Sequence, residues 1–65
     1  MQLIVNGRDE DSTARTIAEL VHQKDLNADR LVVEHNMNIV KQDQWPYVRL
    51  RDGDTVELLS FVGGG

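Results

Sequence analysis

No cysteine occurs among the 65 residues of this chain, and His22 and His35 are its two histidines. A disulfide and a cysteine-rich zinc site are therefore excluded, and two histidines cannot complete a structural metal site by themselves. A chain this short forms one domain at most and hides only about 60% of the surface that its unfolded form exposes. Packing has to hold the fold, and a hydrophobic share of 40% permits it. Basic residues are also scarce, seven against eleven acidic ones, for a net charge of −4 with no basic cluster. The phosphate-neutralising footprint of a nucleic-acid binder is missing, so no nucleic-acid partner is expected. Long apolar runs are absent as well: Leu3 to Val5, Leu31 to Val33 and Leu58 to Leu59 are the longest. They fall far short of the ~20 residues that cross a bilayer and of the roughly 7 to 15 of a signal peptide's apolar region. No membrane partner is expected, and the expected location is cytoplasmic, with which the lack of cysteine agrees.

What is present reads as short elements. Met1, Leu3 and Val5 alternate with Gln2, Ile4 and Asn6 up to Asn6-Gly7, a dipeptide suited to a tight hairpin turn. Arg8 to Thr13 carries almost no apolar content, so it is expected to pair back only as a weak, solvated edge strand. Thr16 followed by Glu19 is a capping-box pattern, and Ile17, Leu20 and Val21 then share one face, predicting a helix from Thr16 to Asp25 with Leu26 folded onto the same core. Leu31 to His35 is a β-branched strand, Asn36-Met37 turns it, and Asn38 to Val40 returns. Asp43 to Pro46 predicts one helical turn with Trp45 as a lid over the core, Tyr47 to Leu50 a brief extension, and Asp52-Gly53-Asp54 a turn before a last strand from Thr55 to Val62. One helix covers one sheet face, so the expected architecture is α+β, a mixed sheet of four to five strands wrapped on a single helix.

Catalytic equipment is not apparent. There is no cysteine nucleophile, phosphate loop, serine elbow or HExxH zinc spacing, so no catalytic residue and no metal ligand is assigned. Asp52 and Asp54 flank a glycine but lack the remaining ligands of a calcium loop. Asp9-Glu10-Asp11 reads as a solvated edge able to steer a basic partner at low salt, and His22 beside Gln23 and Lys24 reads as a solvated histidine.

The exception is the run Gly63-Gly64-Gly65 after the last strand. Four extended residues beyond Phe61 reach roughly 13 to 14 Å, enough to carry a carboxylate into another protein's active site. Without Cβ atoms such a segment fits a narrow tunnel and accepts whatever dihedrals the host imposes. Ordering it costs about 1 to 2 kcal/mol per residue, which contacts with the folded body must offset. A carboxylate is a poor electrophile until its oxygen becomes a leaving group, so chemistry at this end requires activation by another enzyme. Terminal glycines taken alone are equally a flexible tail; what favours the reactive reading is that they follow the last strand directly. The expected division is a domain over 1–61 and a flexible glycine tail over 62–65.

Met1-Gln2-Leu3-Ile4-Val5-Asn6-Gly7, Thr16-Ile17-Ala18-Glu19-Leu20, Val33 to Val40 leading to Gln44-Trp45, and Leu50 to Asp54 ending in Phe61-Val62-Gly63-Gly64-Gly65 together resemble the ThiS family of sulfur carriers of thiamine biosynthesis. The resemblance covers nearly the whole chain, and its strength lies in the succession of individually weak motifs. It implies a β-grasp, ubiquitin-like fold with no bound cofactor. It also implies that the Gly65 carboxylate is adenylated with ATP by a ThiF-type enzyme and converted to a thiocarboxylate with sulfur from a cysteine persulfide donor. The sulfur then goes to a ThiG-type thiazole synthase, and the chain is a protein co-substrate rather than an enzyme. His35 and Met37 depart from the family, which usually has an apolar residue and a glycine there. Two other readings stand beside this one: a molybdopterin-type sulfur carrier, and a noncovalent ubiquitin-like binding module with an inert tail.

Strand parity adds a docking expectation. If Val56 and Leu58 face the helix, Leu59 and Phe61 point to the uncovered face beside the tail, and with Val62 they form an apolar patch for an activating enzyme. A covering loop or a bulge that reverses the register would remove the patch.

Overall fold

The computed structural model describes residues 1–61, so the expected glycine tail, 62–65, lies outside the described residues. Five strands, β1 (Gln2–Val5), β2 (Arg8–Asp11), β3 (Leu31–His35), β4 (Asn38–Val40) and β5 (Thr55–Ser60), form one sheet in the order β2-β1-β5-β3-β4. The helix α1 (Ile17–Gln23) packs on one face, which makes this an α+β fold. β5 lies at the centre, parallel to β1 and antiparallel to β3. The parallel pair joins the two ends of the described chain, and the α1 segment supplies part of the long crossover that a parallel connection requires.

Local chemistry explains the elements. Asn6 and Gly7 have φ of 51° and 79°, the positive values that a type I′ hairpin turn demands, and they join β1 to β2. β2 forms despite its charge because β1 supplies a full register, from Gln2 opposite Asp11 to Val5 opposite Arg8. At α1 the Thr16 hydroxyl accepts the Glu19 N–H at 3.2 Å, while the Glu19 carboxylate accepts the N–H of Arg15, one residue ahead of the cap, at 3.4 Å. The helix stops at Gln23, two residues before the expected Asp25, because Asp25 takes the left-handed conformation, φ 55°, and redirects the chain.

Ile17, Leu20 and Val21 press against Leu3 and Val5 of β1, Leu31 and Val33 of β3, and Val56 and Leu58 of β5. Fully burying one such side chain contributes roughly 1.5–3 kcal/mol, so this interlayer contact is the main source of stability. Leu26 packs half-buried against the same core, as its position after the helix predicts. Trp45 closes one end: it is 4% exposed, and its Nε1–H donates to the Val40 carbonyl at 2.9 Å. The turn that carries it is a 3-10 helix over Gln42–Tyr47, longer than the single turn expected.

Three segments complete the comparison with the sequence, and the last of them is a correction. The brief extension expected over Tyr47 to Leu50 is present beyond Tyr47, which closes the 3-10 turn: Arg49 forms an antiparallel bridge with Thr16, the lead-in to α1, with Ile17 N–H donating to Val48 O at 3.2 Å and Leu50 N–H to Arg15 O at 2.8 Å. A second 3-10 turn, Ala28–Arg30, was not signalled by any apolar periodicity; it is capped by the Asn27 side chain, which accepts the Asp29 N–H at 3.1 Å. β5 ends at Ser60 rather than Val62, although Phe61 N–H still donates to Arg30 O at 3.0 Å.

Asn36 and Met37 have φ of 48° and 73°, so the β3–β4 turn is also of the primed type. Asparagine tolerates this region; methionine pays roughly 1–2 kcal/mol for it and, at 89% exposure, recovers little by packing. Met37→Gly should therefore stabilise the domain by about 1 kcal/mol and raise its melting temperature by roughly 4–8 °C, measured by thermal denaturation. An unchanged or lower midpoint would mean that the turn carries no strain.

Candidate functional site

The fold aims the end of β5 outward from the middle of the sheet. Both neighbours hold β5: Ile4 and Val5 pair with Thr55 and Val56, while β3 pairs from His35 opposite Val56 to Leu31 opposite Ser60. The last described residue, Phe61, is fixed to Arg30 by its backbone. The described chain therefore ends at a point fixed by the sheet.

Alternation along β5 settles the face of each side chain. Val56 and Leu58 are buried toward α1, so Leu59 points to the face without a helix, and Phe61 follows in the same phase. Leu59 is 48% and Phe61 53% exposed, as the parity expectation required, and among the described residues neither a covering loop nor a register-reversing bulge intervenes. Val32 sits opposite Leu59 on the same face, and Ile39 of β4 adds an apolar side chain that is 71% exposed. The pair beyond, Glu34 opposite Glu57, bounds the patch with two carboxylates, an arrangement that like-charge repulsion disfavours. Of the other sequence-predicted site residues, Val62, Gly63, Gly64 and Gly65 lie outside the described residues.

No local sequence pattern signals the polar clip at the opposite end of β5. The Asp54 carboxylate meets His35 Nε2 at 2.7 Å, accepts the Arg51 N–H at 2.9 Å and accepts from Asn36 Nδ2 at 3.2 Å. Asn36 Oδ1 in turn accepts the Thr55 N–H at 2.9 Å. Burial works to raise the Asp54 pKa, but the hydrogen bonds from His35, Arg51 and Asn36 together hold it below the ordinary carboxylate range. His35 thereby ties the β3–β4 turn to the turn before β5. The clip is structural, since β5 itself separates it from Phe61.

Among the described residues no group of three or more His, Cys, Asp or Glu side chains could hold a metal ion. No helix among them is long and apolar enough to cross a membrane.

A ThiS family model matches residues 3–65, including the final glycine. The chain belongs to the ThiS family. It is 34% identical over 65 residues to the sulfur carrier protein ThiS of Bacillus subtilis, covering 97% of this chain and 98% of that protein. It is also 32% identical over 66 residues to a thiazole synthase of Paramagnetospirillum magneticum; all of this chain is covered, but it spans only 20% of that protein. Among solved structures, the crystal structure of the thiamine biosynthesis protein ThiS from Geobacter metallireducens superposes with a TM-score of 0.84 at 32% identity, with both chains covered completely. ThiS membership makes the five-stranded sheet on one helix a ubiquitin-like β-grasp, as the resemblance implied. It also assigns the chain to the sulfur carriers of thiamine biosynthesis.

Proposed function

We propose that this ThiS-family carrier holds its sulfur on the carboxylate of Gly65, and that the folded body serves to present that carboxylate to successive enzymes. In the first step a carboxylate oxygen attacks the α-phosphorus of ATP in the active site of a ThiF-type enzyme, releasing pyrophosphate. The product is an acyl adenylate, in which AMP replaces a leaving group too poor to depart. A cysteine persulfide donor then attacks the acyl carbon through its terminal sulfur and expels AMP, and a thiol cleaves the resulting S–S bond to leave the thiocarboxylate. A ThiG-type thiazole synthase consumes it. ATP belongs to the activating enzyme, no cofactor is held by this chain, and the reaction is placed in the cytoplasm as part of this reading.

The family match that runs through residue 65 carries this reading. The thiazole synthase relative, in which a stretch like this chain forms part of the protein, supports a thiazole synthase as the consumer. Incubation with the cognate adenylating enzyme, ATP and a persulfide donor should raise the intact mass by one oxygen-to-sulfur exchange. No mass change in the presence of active enzyme would overturn the reading and leave a noncovalent module.

The exposed pair Leu59 and Phe61 supports a docking face for the activating enzyme, with Val62 continuing it. Leu59→Asp introduces a charge on a side chain that already meets water, so the domain should stay folded. Its affinity for the adenylating enzyme should fall at least tenfold, since a central apolar anchor contributes about 2 kcal/mol or more. An unchanged dissociation constant, measured by titration calorimetry, would remove this face from the interface.

A further inference from the structure

The sheet has a gap beside the strand that leads to the tail. β1 stops at Val5 while β5 runs on to Ser60, and only Ile4 with Thr55 and Val5 with Val56 are in register. Even-numbered residues from Asp54 onward turn their backbone toward β1: the carbonyls of Asp54 and Val56 accept from Ile4 and Asn6 N–H at 2.9 and 3.0 Å. Odd-numbered ones face β3, as when Asn36 N–H donates to Thr55 O at 2.8 Å. Leu58 is next in the even phase, but Asn6 has turned away at φ 51° and offers it no backbone. The Asn6 side chain substitutes: Oδ1 accepts the Leu58 N–H at 2.7 Å and Nδ2 donates to the Leu58 carbonyl at 3.3 Å. Ser60 follows in the same phase, and among the described residues no strand borders it on that side. Its N–H and C=O form a strand edge.

A cleft of about 560 Å³ opens on the helix side of this gap, with Val5, Leu26 and Leu58 as its apolar part and Arg8, Glu10 and Lys24 around them. Arg8 and Glu10 stand opposite Val5 and Leu3 in the hairpin, which puts them on the core-facing side of β2. Lys24 at the end of α1 pairs with Glu10, whereas Arg8 has no carboxylate within 4.0 Å among the described residues. In a chain of net charge −4, the cleft is thus a place of local positive charge. The volume lies within the range of roughly 300–1,000 Å³ typical of binding sites.

We propose that an extended segment of the adenylating enzyme lies in this gap, pairs its backbone with Ser60 and sets a carboxylate side chain against Arg8. Strand addition of this kind draws affinity from main-chain hydrogen bonds, and selectivity from the alternate side chains that enter the cleft. The inference rests on the carrier reading above, because it takes its partner to be the enzyme that activates Gly65. Ser60 is five residues from Gly65, about 17 Å of extended chain, so an enzyme that takes the tail into its active site comes alongside this edge. The contact differs from the Leu59 patch in face and in chemistry: it is on the helix side of the sheet and depends on charge.

Affinity of the full chain for the cognate adenylating enzyme tests it, with Arg8→Glu, Ser60→Pro and, as a charge control, Lys41→Glu. Arg8→Glu should raise the dissociation constant at least tenfold and flatten the salt dependence seen with the unaltered chain. Ser60→Pro removes an N–H that β3 does not use, and should raise it at least fivefold with the melting transition retained. Lys41→Glu changes net charge equally, beyond β4 at the other side of the sheet, and should alter binding by less than twofold. Arg8→Glu within twofold of the unaltered chain overturns the proposal whether or not Ser60→Pro folds, and so does an equal loss with Lys41→Glu. Failure of the unaltered chain to acquire sulfur would instead count against the carrier reading.

Discussion

Removal of Gly65 alone should abolish sulfur loading, with no mass increase above background after incubation with the adenylating enzyme, ATP and a persulfide donor, while the melting transition stays where it was. The shortened chain still ends in a glycine carboxylate, that of Gly64, with the same acidity and nucleophilicity. What changes is position. One residue fewer withdraws the carboxylate by about 3.5 Å relative to the body, and a displacement of about 1 Å in a reacting group already costs on the order of 10²-fold. On the docking proposed above, the body cannot follow the lost residue inward, because side chains on β5 and around it would fix its contacts with the enzyme. Folding is indifferent to the deletion: the core is made by residues between Leu3 and Leu58. Loading of the shortened chain at more than a tenth of the original rate would move the reactive position away from Gly65 or require an active site tolerant of register.

Much of this fold was legible because its elements announce themselves locally. Asn6-Gly7, Thr16 with Glu19, and the alternation of Val56, Leu58 and their neighbours each state a turn, a helix start and a strand face in a few residues. The exposure of Leu59 and Phe61 follows from the same parity, since covering one face of a sheet with one helix leaves the other open. Features that depend on chain segments far apart were not legible. The Asp54 clip joins residues 19 apart through a histidine, and the side-chain bridge from Asn6 to Leu58 spans 52 residues. In the sequence Arg8 is one charge in a solvated edge; only the register opposite Val5 turns it toward the cleft. The gap beside Ser60 is likewise a relation between two strand lengths, and no single stretch of sequence contains it.

Trp45→Ala should leave the domain largely unfolded at 25 °C, with loss of the near-ultraviolet signal and of a cooperative urea transition. A buried tryptophan removes about 150–250 Å² from water, and its truncation to alanine in a core costs about 3–5 kcal/mol. A domain below about 70 residues rarely has more than roughly 3–5 kcal/mol in total, so the loss is comparable with the whole stability. The residue also spends its polar atom well: Nε1–H on the Val40 carbonyl fastens the 3-10 turn to β4, and the ring closes the core beside α1. Trp45→Phe separates the two contributions. It keeps most of the apolar contact but leaves that carbonyl without its donor, and should cost about 1–3 kcal/mol while remaining folded. Sulfur loading should then fall only in proportion to the unfolded fraction, because Trp45 is 4% exposed and cannot reach a partner without opening the core. A Trp45→Ala chain that melts cooperatively within about 1 kcal/mol of the original, yet cannot be loaded, would reassign this ring from the core to the partner interface.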